Sequence, residues 1–275
     1  MICIVTDSTA DLAPEVKRQY PVSVIPLNVH LGGESYKDGI DITSEVFFTK
    51  LRTVRELPTT SMPSPNDFTV LYGGLLLKCT TIISLHLSSK LSGTYNAATC
   101  AKAEFQNADI VVVDSGLVSV GLHLLVFLCL RELQKGVGRE ALLEKINQWK
   151  REIGVYFLVD TLEYLQRGGR IGRAAHLIGS ILNIKPILTL RDGLIDTAGK
   201  VRSRQKAYYR LIELINRDDT QPRTIVLGHA AAKDDCVNFA MMLKETFVNT
   251  EIVRTEIGPV IGTHSGPGCI GVAFW

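Results

Sequence analysis

The feature that most constrains the fold of this chain is an alternation of short apolar runs with longer stretches of helical spacing. β-Branched runs bounded by turn residues predict strands at 2–5, 22–27, 81–87 and 110–113. Apolar residues at helical spacing predict helices at 65–78, 92–106 and 117–135. Nearly continuous apolar strands separated by helices are typical of a parallel sheet with both faces covered.

A second set of elements follows residue 155. Strands are predicted at 155–159, 184–190, 223–228, 251–257 and 270–274, and helices at 203–216 and 234–247. A chain of 275 residues is long enough for one large domain or two small ones. We therefore predict an α/β protein with two domains, 1–154 and 155–275, each a mostly parallel sheet flanked by helices.

Composition narrows the class of protein. With 46% hydrophobic and 21% charged residues, the chain is neither a disordered tail nor a coiled coil. A net charge of +2 gives no electrostatic indication of a nucleic acid partner. The longest apolar run, 117–130, is too short and too interrupted to span a bilayer, and no leader sequence is apparent. We expect a soluble, cytoplasmic protein with a large core or an apolar cavity.

The cysteines show no metal-binding or disulfide pattern. None of the six forms a Cys-x-x-Cys pair, and four lie in apolar stretches; they are Cys3, Cys79, Cys100, Cys129, Cys236 and Cys269. This predicts buried free thiols, with no disulfide scaffold and no metal site.

Two hydroxyl-bearing segments lead into helices. Thr60 and Ser61 precede a Ser-Pro helix start, where their hydroxyls are available to a ligand or bond to the local backbone. Ser92 and Gly93 follow an apolar strand and open an Ala-rich helix. Free backbone amides at such a helix start favour binding of an anion, and a glycine lets the ligand approach the backbone closely. Ser92 acting only as a helix cap explains the same pattern.

Three further segments carry basic side chains or a histidine. Arg170 follows a Gly-Gly helix end, and Arg202 precedes a basic helix; each suits a carboxylate or belongs to a solvated basic face. The Gly- and Pro-rich segment 257–268 contains Thr263 and His264 and predicts a partly buried functional loop without regular structure. A buried histidine satisfied by the backbone is the simpler alternative. Nucleophile-elbow and phosphate-loop motifs are absent from the sequence, which weakens an enzymatic interpretation.

Taken together, these segments resemble the DegV family of bacterial lipid-binding proteins. The matching stretches run in order along the whole chain: VTDSTADL (5–12), TSMPS (60–64), SSKLSGTYNAA (88–98), LEYLQRGGRI (162–171), GSILNIKPIL (179–188), KVRSRQKA (200–207) and IGPVIGTHSGPG (257–268). The resemblance implies two α/β domains with a long-chain fatty acid, such as palmitate, buried between or within them.

The resemblance also implies roles for individual residues. Thr60 and Ser92 match carboxylate-binding hydroxyls, and His264 matches a histidine of the same hydrogen-bond network. Arg170 and Arg202 match arginines near the carboxylate mouth or a partner-docking face. The predicted ligand-binding set is Thr60, Ser61, Ser92, Gly93, Thr263, His264, Arg170 and Arg202. Met62 departs from the family pattern, which usually has glutamine there, and Cys269 stands where a smaller residue is commoner.

The function implied is fatty acid binding and lipid transport without catalysis, cofactor or metal. Some members of the family present the fatty acid to a separate fatty acid kinase, so the chain is at most the substrate-presenting subunit of such an enzyme. Two alternatives of other classes remain open at this point. One is a serine hydrolase that uses Ser92, His264 and Asp114, and the other is a phosphotransfer component modified on His264.

Overall fold

The computed structural model describes residues 1–54, 56–179, 184–216 and 221–275. The strands are β1 (Ile2–Asp7), β2 (Val22–Ile25), β3 (Asn28–Leu31), β4 (Glu34–Lys37), β5 (Thr59–Ser61), β6 (Thr81–His86), β7 (Asp109–Asp114), β8 (Gly154–Leu158), β9 (Lys185–Arg191), β10 (Leu194–Val201), β11 (Thr224–His229), β12 (Glu251–Glu256) and β13 (Ile270–Phe274). The α-helices are α1 (Pro14–Gln19), α2 (Ser44–Leu51), α3 (Pro65–Leu76), α4 (Thr94–Lys102), α5 (Val120–Gln134), α6 (Arg139–Glu152), α7 (Glu163–Arg167), α8 (Arg204–Ile215), α9 (Lys233–Thr246) and α10 (Pro259–Ser265). Four residues of the predicted GSILNIKPIL stretch, 180–183, lie outside the described residues.

The first sheet is parallel, as the sequence predicts. Its order is β2-β1-β6-β7, and all three neighbouring pairs are parallel. Alternate residues of β1 face opposite sides, so Val5 packs with α3 and α4 while Ile4 packs with α5. The central strand β6 is buried along its whole length, which explains its nearly continuous apolar sequence.

The second sheet differs from the prediction. Its order is β10-β9-β8-β13-β11-β12, and only β11 and β12 pair in parallel, so the expectation of a mostly parallel sheet here is wrong. Strands β9 and β10 form a hairpin through Asp192 and Gly193, both with positive φ, which is the turn that an Asp-Gly pair favours. Strand β13 then enters the middle of the sheet antiparallel to both neighbours.

Helix α5 lies between the two large sheets. Its residues 120–130 are all buried, and it contacts strands of both sheets. A helix that is apolar on every side belongs inside a protein or a membrane. Among the described residues no helix has both the length and the apolar character needed to cross a bilayer. Helices α8 and α9 cover the outer face of the second sheet. The division at residue 154 remains a prediction.

A third, small sheet and a short helix were not predicted. Strands β4, β3 and β5 form an antiparallel sheet in that order, and α10 packs against β3 and β5. The expectation that 257–268 lacks regular structure is wrong, because Pro259–Ser265 is helical. Pro259 stands at the first turn, where its missing amide proton is harmless, and Gly266 follows the helix with φ 72°.

The prediction of six buried free thiols is also wrong. Cys3 and Cys79 form a disulfide with their Cα atoms 5.9 Å apart, and Cys100 is exposed. Parallel pairing of β1 with β6 sets Ile2 opposite Thr81, which brings Cys79 beside Cys3 although 76 residues separate them. Cys129, Cys236 and Cys269 are free and buried, as expected.

Candidate functional site

A cavity with an empty volume of about 770 Å³ lies between the two large sheets, beside α5. Its wall is mainly apolar and comes from the second sheet, from β5 of the small sheet, from α10 and from the loops that follow β2 and β6. The apolar residues are Leu27, Met62, Leu87, Leu91, Val118, Phe157, Val159, Leu165, Leu188, Ile195, Val260, Ile261 and Cys269. Such a wall suits an extended apolar ligand.

His264 and Thr60 form the centre of the polar part of the cavity. His264 lies in the last turn of α10 and Thr60 lies on β5, and their Nε2 and Oγ1 atoms are hydrogen-bonded at 2.9 Å. The Nδ1 atom of His264 is buried without a hydrogen-bond partner. Burial, together with the nearby charge of Arg170, lowers the pKa of His264 from 6.5 to about 4. The imidazole is therefore neutral at pH 7.

Gly168 lies directly behind the imidazole of His264. A methyl group at this glycine would touch the ring, 3.0 Å from Cε1 and closer to Nδ1. The sequence indicated only a helix end at Gly168-Gly169, so this supporting role was missed.

Ser92 lines the cavity and stands one residue before Gly93, the N-cap of α4. Its Oγ lies 2.9 Å from the Thr94 Oγ1 and accepts a hydrogen bond from the Thr94 amide. Gly93 does not line the cavity; instead, the Met62 sulfur occupies the space that a Cβ at Gly93 would need. Ser92 therefore lines the cavity and bonds the first amide of α4 from just outside the helix, but the interpretation of Ser92 as the helix cap is wrong.

Among the described residues that line the cavity, Arg170 is the only one with a cationic side chain. Its Nη1 donates to the Gly168 carbonyl oxygen at 2.6 Å, and its Nε donates to the Leu91 carbonyl oxygen at 3.3 Å. These two bonds hold the guanidinium beside His264 and leave donors for an anion, since arginine has five N–H groups.

The other predicted residues lie in different positions. Ser61 lines the outer part of the cavity, is exposed, and its Oγ is 3.0 Å from His30 Nε2. Thr263 is buried with its hydroxyl donated to the Pro259 carbonyl oxygen, and Arg202 is exposed; neither lines the cavity. In the KVRSRQKA stretch it is Arg204 that is anchored, by ion pairs with Asp160 and Asp235.

The residues proposed for a hydrolase do not assemble. The Asp114 carboxylate accepts bonds from the Ser89 and Gly116 amides, whereas His264 bonds to Thr60 and Ser92 bonds to Thr94. A base must contact its nucleophile and be oriented by a third group. Neither contact is made in the described structure, and a histidine with a pKa of about 4 is a weak base at neutral pH.

The fold and the cavity thus define an α/β protein with two large sheets, one small sheet and an apolar pocket that contains a small polar cluster. The chain belongs to the DegV family, whose model, described as uncharacterised protein of the DegV family, matches residues 1–275.

Relatives match over the full length of the chain. A DegV domain-containing protein of Caldanaerobacter subterraneus is 35% identical to this chain. The alignment covers 99% of this chain and 98% of that protein. A Thermus thermophilus DegV family protein, solved in a study of its fatty acid binding, superposes with a TM-score of 0.94 at 35% identity, with 100% of this chain and 99% of that chain covered. A stearic acid-binding protein of Eubacterium ventriosum has a TM-score of 0.92 at 28% identity, with 100% and 98% covered.

Proposed function

We propose that this protein binds a long-chain fatty acid such as palmitate, with its tail in the apolar cavity and its carboxylate at Thr60, Ser92, His264 and Arg170. The observation that carries the proposal is the composition of the cavity wall, which is apolar except for this polar cluster and the serines next to it in sequence, Ser61 and Ser265. The fatty acid binding described for the Thermus thermophilus and Eubacterium ventriosum structures supports it.

The tail supplies most of the affinity. About 14 methylenes at roughly 0.8 kcal/mol each give on the order of 11 kcal/mol when they leave water. A hydrogen bond to a carboxylate adds about 1.5–3 kcal/mol. Association entropy offsets a large part of this sum. The polar cluster therefore fixes which end of the molecule lies at the mouth more than it determines how tightly the molecule binds.

The neutral imidazole suggests how the carboxylate is held. With the proton on Nε2, His264 donates to the Thr60 oxygen across their 2.9 Å contact, and the Thr60 hydroxyl is free to donate to the ligand. This tautomer leaves Nδ1 as an unpaired acceptor, which is better tolerated in a buried site than an unpaired N–H. Arg170 supplies the positive charge that offsets the carboxylate.

We further propose that the bound fatty acid is presented to a separate kinase subunit for lipid metabolism. Arg202 is exposed and takes no part in the cavity, which makes it available for a partner. Arg167 and Arg173 are also exposed, with side chains at 65% and 46%. Arg167 pairs with the exposed Glu163, whereas Arg173 pairs with the exposed Asp192 and the mostly buried Asp196. ATP hydrolysis by the isolated chain would contradict this carrier role.

Mass spectrometry of the purified protein tests the binding proposal. We expect the native mass to exceed the chain mass by one fatty acid of about 16–18 carbons, which denaturation releases. A bare native mass with no uptake of added palmitate would refute it.

Substitution of Thr60 tests the carboxylate site. Thr60→Val removes one hydrogen bond to a charged group and should weaken palmitate binding by about 10- to 150-fold. Thr99→Val is a matched control, because Thr99 is exposed on α4 and its hydroxyl bonds only to the Tyr95 carbonyl oxygen. Affinities within twofold of each other would show that Thr60 does not hold the ligand.

A further inference from the structure

Asp11 is a buried residue that forms hydrogen bonds with residues from both halves of the chain. Its Oδ2 accepts a hydrogen bond from the Ser119 hydroxyl at 2.6 Å, and its Oδ1 accepts one from the Gly258 amide at 2.8 Å. Its backbone oxygen accepts bonds from the Thr255 hydroxyl and from Nδ1 of His123. Asp11 itself has φ 45°, an uncommon conformation for a non-glycine residue. These contacts fix the segment between β1 and α1 to the residues that lead into α10.

Asp38 approaches the same helix from the small sheet. Asp38 is 5% exposed, and its Oδ2 has no hydrogen-bond partner. The nearby Ser8 hydroxyl and Val260 amide offset part of the rise in its pKa that burial causes. Both carboxyl groups lie over Gly258, where an added methyl group would be 2.9 Å from Asp11 Oδ1 and 3.2 Å from Asp38 Oδ1. The first residues of α10 are thus held by two neighbouring buried carboxyl groups.

Helix α10 connects this pair directly to the proposed ligand site. It has seven residues, and His264 lies in the turn after the one that the carboxyl groups hold. Hydrogen bonds from Gly262 N to Gly258 O and from Gly266 N to Gly262 O link the two turns. A displacement at Gly258 and Val260 would therefore move His264 relative to Thr60 on β5.

We propose that Asp11 and Asp38 are positioning residues for His264, and that loss of the last proton from this carboxyl pair shifts α10 and weakens the contact between His264 and Thr60. The consequence for ligand affinity rests on the function proposed above, whereas the movement of His264 does not.

The charges around the pair favour retention of a proton near neutral pH. Burial raises the pKa of Asp38 to about 7 and raises the pKa of Asp11 well above its usual value. Asp7 on β1 adds repulsion to both groups, and Lys17 on α1 offsets part of it for Asp38. The remaining titratable neighbours, His123 on α5 and Cys269 before β13, are both neutral at pH 7, because burial lowers the pKa of His123 to about 4 and raises the pKa of Cys269 to about 12. A second negative charge consequently forms without a buried counter-ion as the pH rises through about 7.

The test is nuclear magnetic resonance of the histidine side chains in the ligand-free protein between pH 5.5 and 8.5. The His264 ring signals are assigned from their absence in His264→Gln. We expect these signals to titrate with a midpoint near 7 in the wild type and to lose that step in Asp38→Asn. Asp234→Asn is the matched control, because Asp234 is exposed in the first turn of α9, and it should leave the step unchanged.

The wild-type titration decides the proposal even if Asp38→Asn fails to fold. His264 signals that do not change across this pH range, or that keep the same midpoint in Asp38→Asn, would overturn it. Asp11→Asn is the second variant, and it should also shift or remove the step.

Palmitate affinity at pH 6 and pH 8 then separates this proposal from the proposed function. We expect about fivefold weaker binding at pH 8 in the wild type and less than twofold in Asp38→Asn, which corresponds to the loss of one ordinary hydrogen bond. A His264 titration without palmitate binding would support the positioning role and refute the ligand. Palmitate binding with no titration of His264 would support the ligand and refute the positioning role.

Discussion

Replacement of Gly168 by alanine adds a single methyl group and should displace the His264 ring at the polar end of the cavity. Gly168 has φ −72°, so alanine is allowed by the backbone. Its methyl group, however, would lie 3.0 Å from both His264 Cε1 and the Tyr164 carbonyl oxygen, and closer to His264 Nδ1. Normal contacts between such atoms are about 3.5–4.0 Å, and the contact with Nδ1 is the shortest, so the ring must move by more than about 1 Å. Movement of this size breaks its 2.9 Å hydrogen bond to Thr60.

The expected free-energy change follows from three contributions. Overpacking costs about 1–3 kcal/mol, and loss of the His264–Thr60 hydrogen bond costs about 1 kcal/mol. Alanine also restricts the unfolded chain more than glycine does, which stabilises the folded protein by about 0.4–1 kcal/mol. We expect Gly168→Ala to lower the free energy of unfolding by about 1–3 kcal/mol and to weaken palmitate binding as well.

Urea denaturation and palmitate titration of the same samples measure both effects. Gly74→Ala is the matched control, because Gly74 lies inside α3 and nothing occupies the space around an added methyl group. That variant should gain about 0.5–1 kcal/mol. If Gly168→Ala were as stable as Gly74→Ala and bound palmitate normally, Gly168 would not support His264.

Three other predictions concern the disulfide, the acid sensitivity and the cavity length. Cys3→Ser should lower the free energy of unfolding by about 2–4 kcal/mol without reductant, because the disulfide closes a loop of 76 residues, and equal stabilities would refute this role. Burial lowers the pKa of His264 to about 4, so the unfolded chain binds a proton that the native protein does not, and stability should fall as the pH falls from 6.5 to 4. His264→Gln should lose less stability than the wild type between pH 7 and 4.5 in urea titrations; an equal loss would contradict this assignment. Ile195→Phe narrows the cavity and should shift its preference in competition assays from stearate towards shorter acids, whereas an unchanged preference would exclude Ile195 from the tail site.

Local patterns predicted many of the strands and helices, but they missed β10, α6, α10 and most of the small sheet, and they did not predict how the strands of the second sheet pair. The apolar run at 81–87 and the helical spacing at 65–78 both correspond to observed elements, β6 and α3, because burial on both faces and a Ser-Pro helix start leave clear local signals. The direction of the strands in the second sheet has no such signal, apart from the Asp192-Gly193 turn. The position of β13 between β8 and β11 depends on pairs of residues as far apart in the sequence as Gly154 and Phe274.

Contacts between distant residues were also what the sequence did not predict in the candidate site. Hydroxyl loops and the histidine segment pointed to Thr60, Ser92 and His264, but nothing local predicts a hydrogen bond between residues 204 positions apart. The proline and glycines of 257–268 were interpreted as excluding a helix, although they stand where short helices tolerate them. The supports of that helix, Asp11 and Asp38, had no recognisable pattern because a buried carboxylate looks like any other aspartate in sequence.

The two parts of the cavity place different demands on the sequence. The wall requires only apolar side chains of suitable size, and such positions tolerate exchange as long as the total volume is kept. The polar end requires that the Thr60 and His264 side chains meet within hydrogen-bond distance, on two elements held by different parts of the chain. Substitutions in the wall should therefore change which tail is accepted. Substitutions at Gly168, Asp11 or Asp38, which contact neither tail nor carboxylate in the proposed complex, should change whether the carboxylate is held at all.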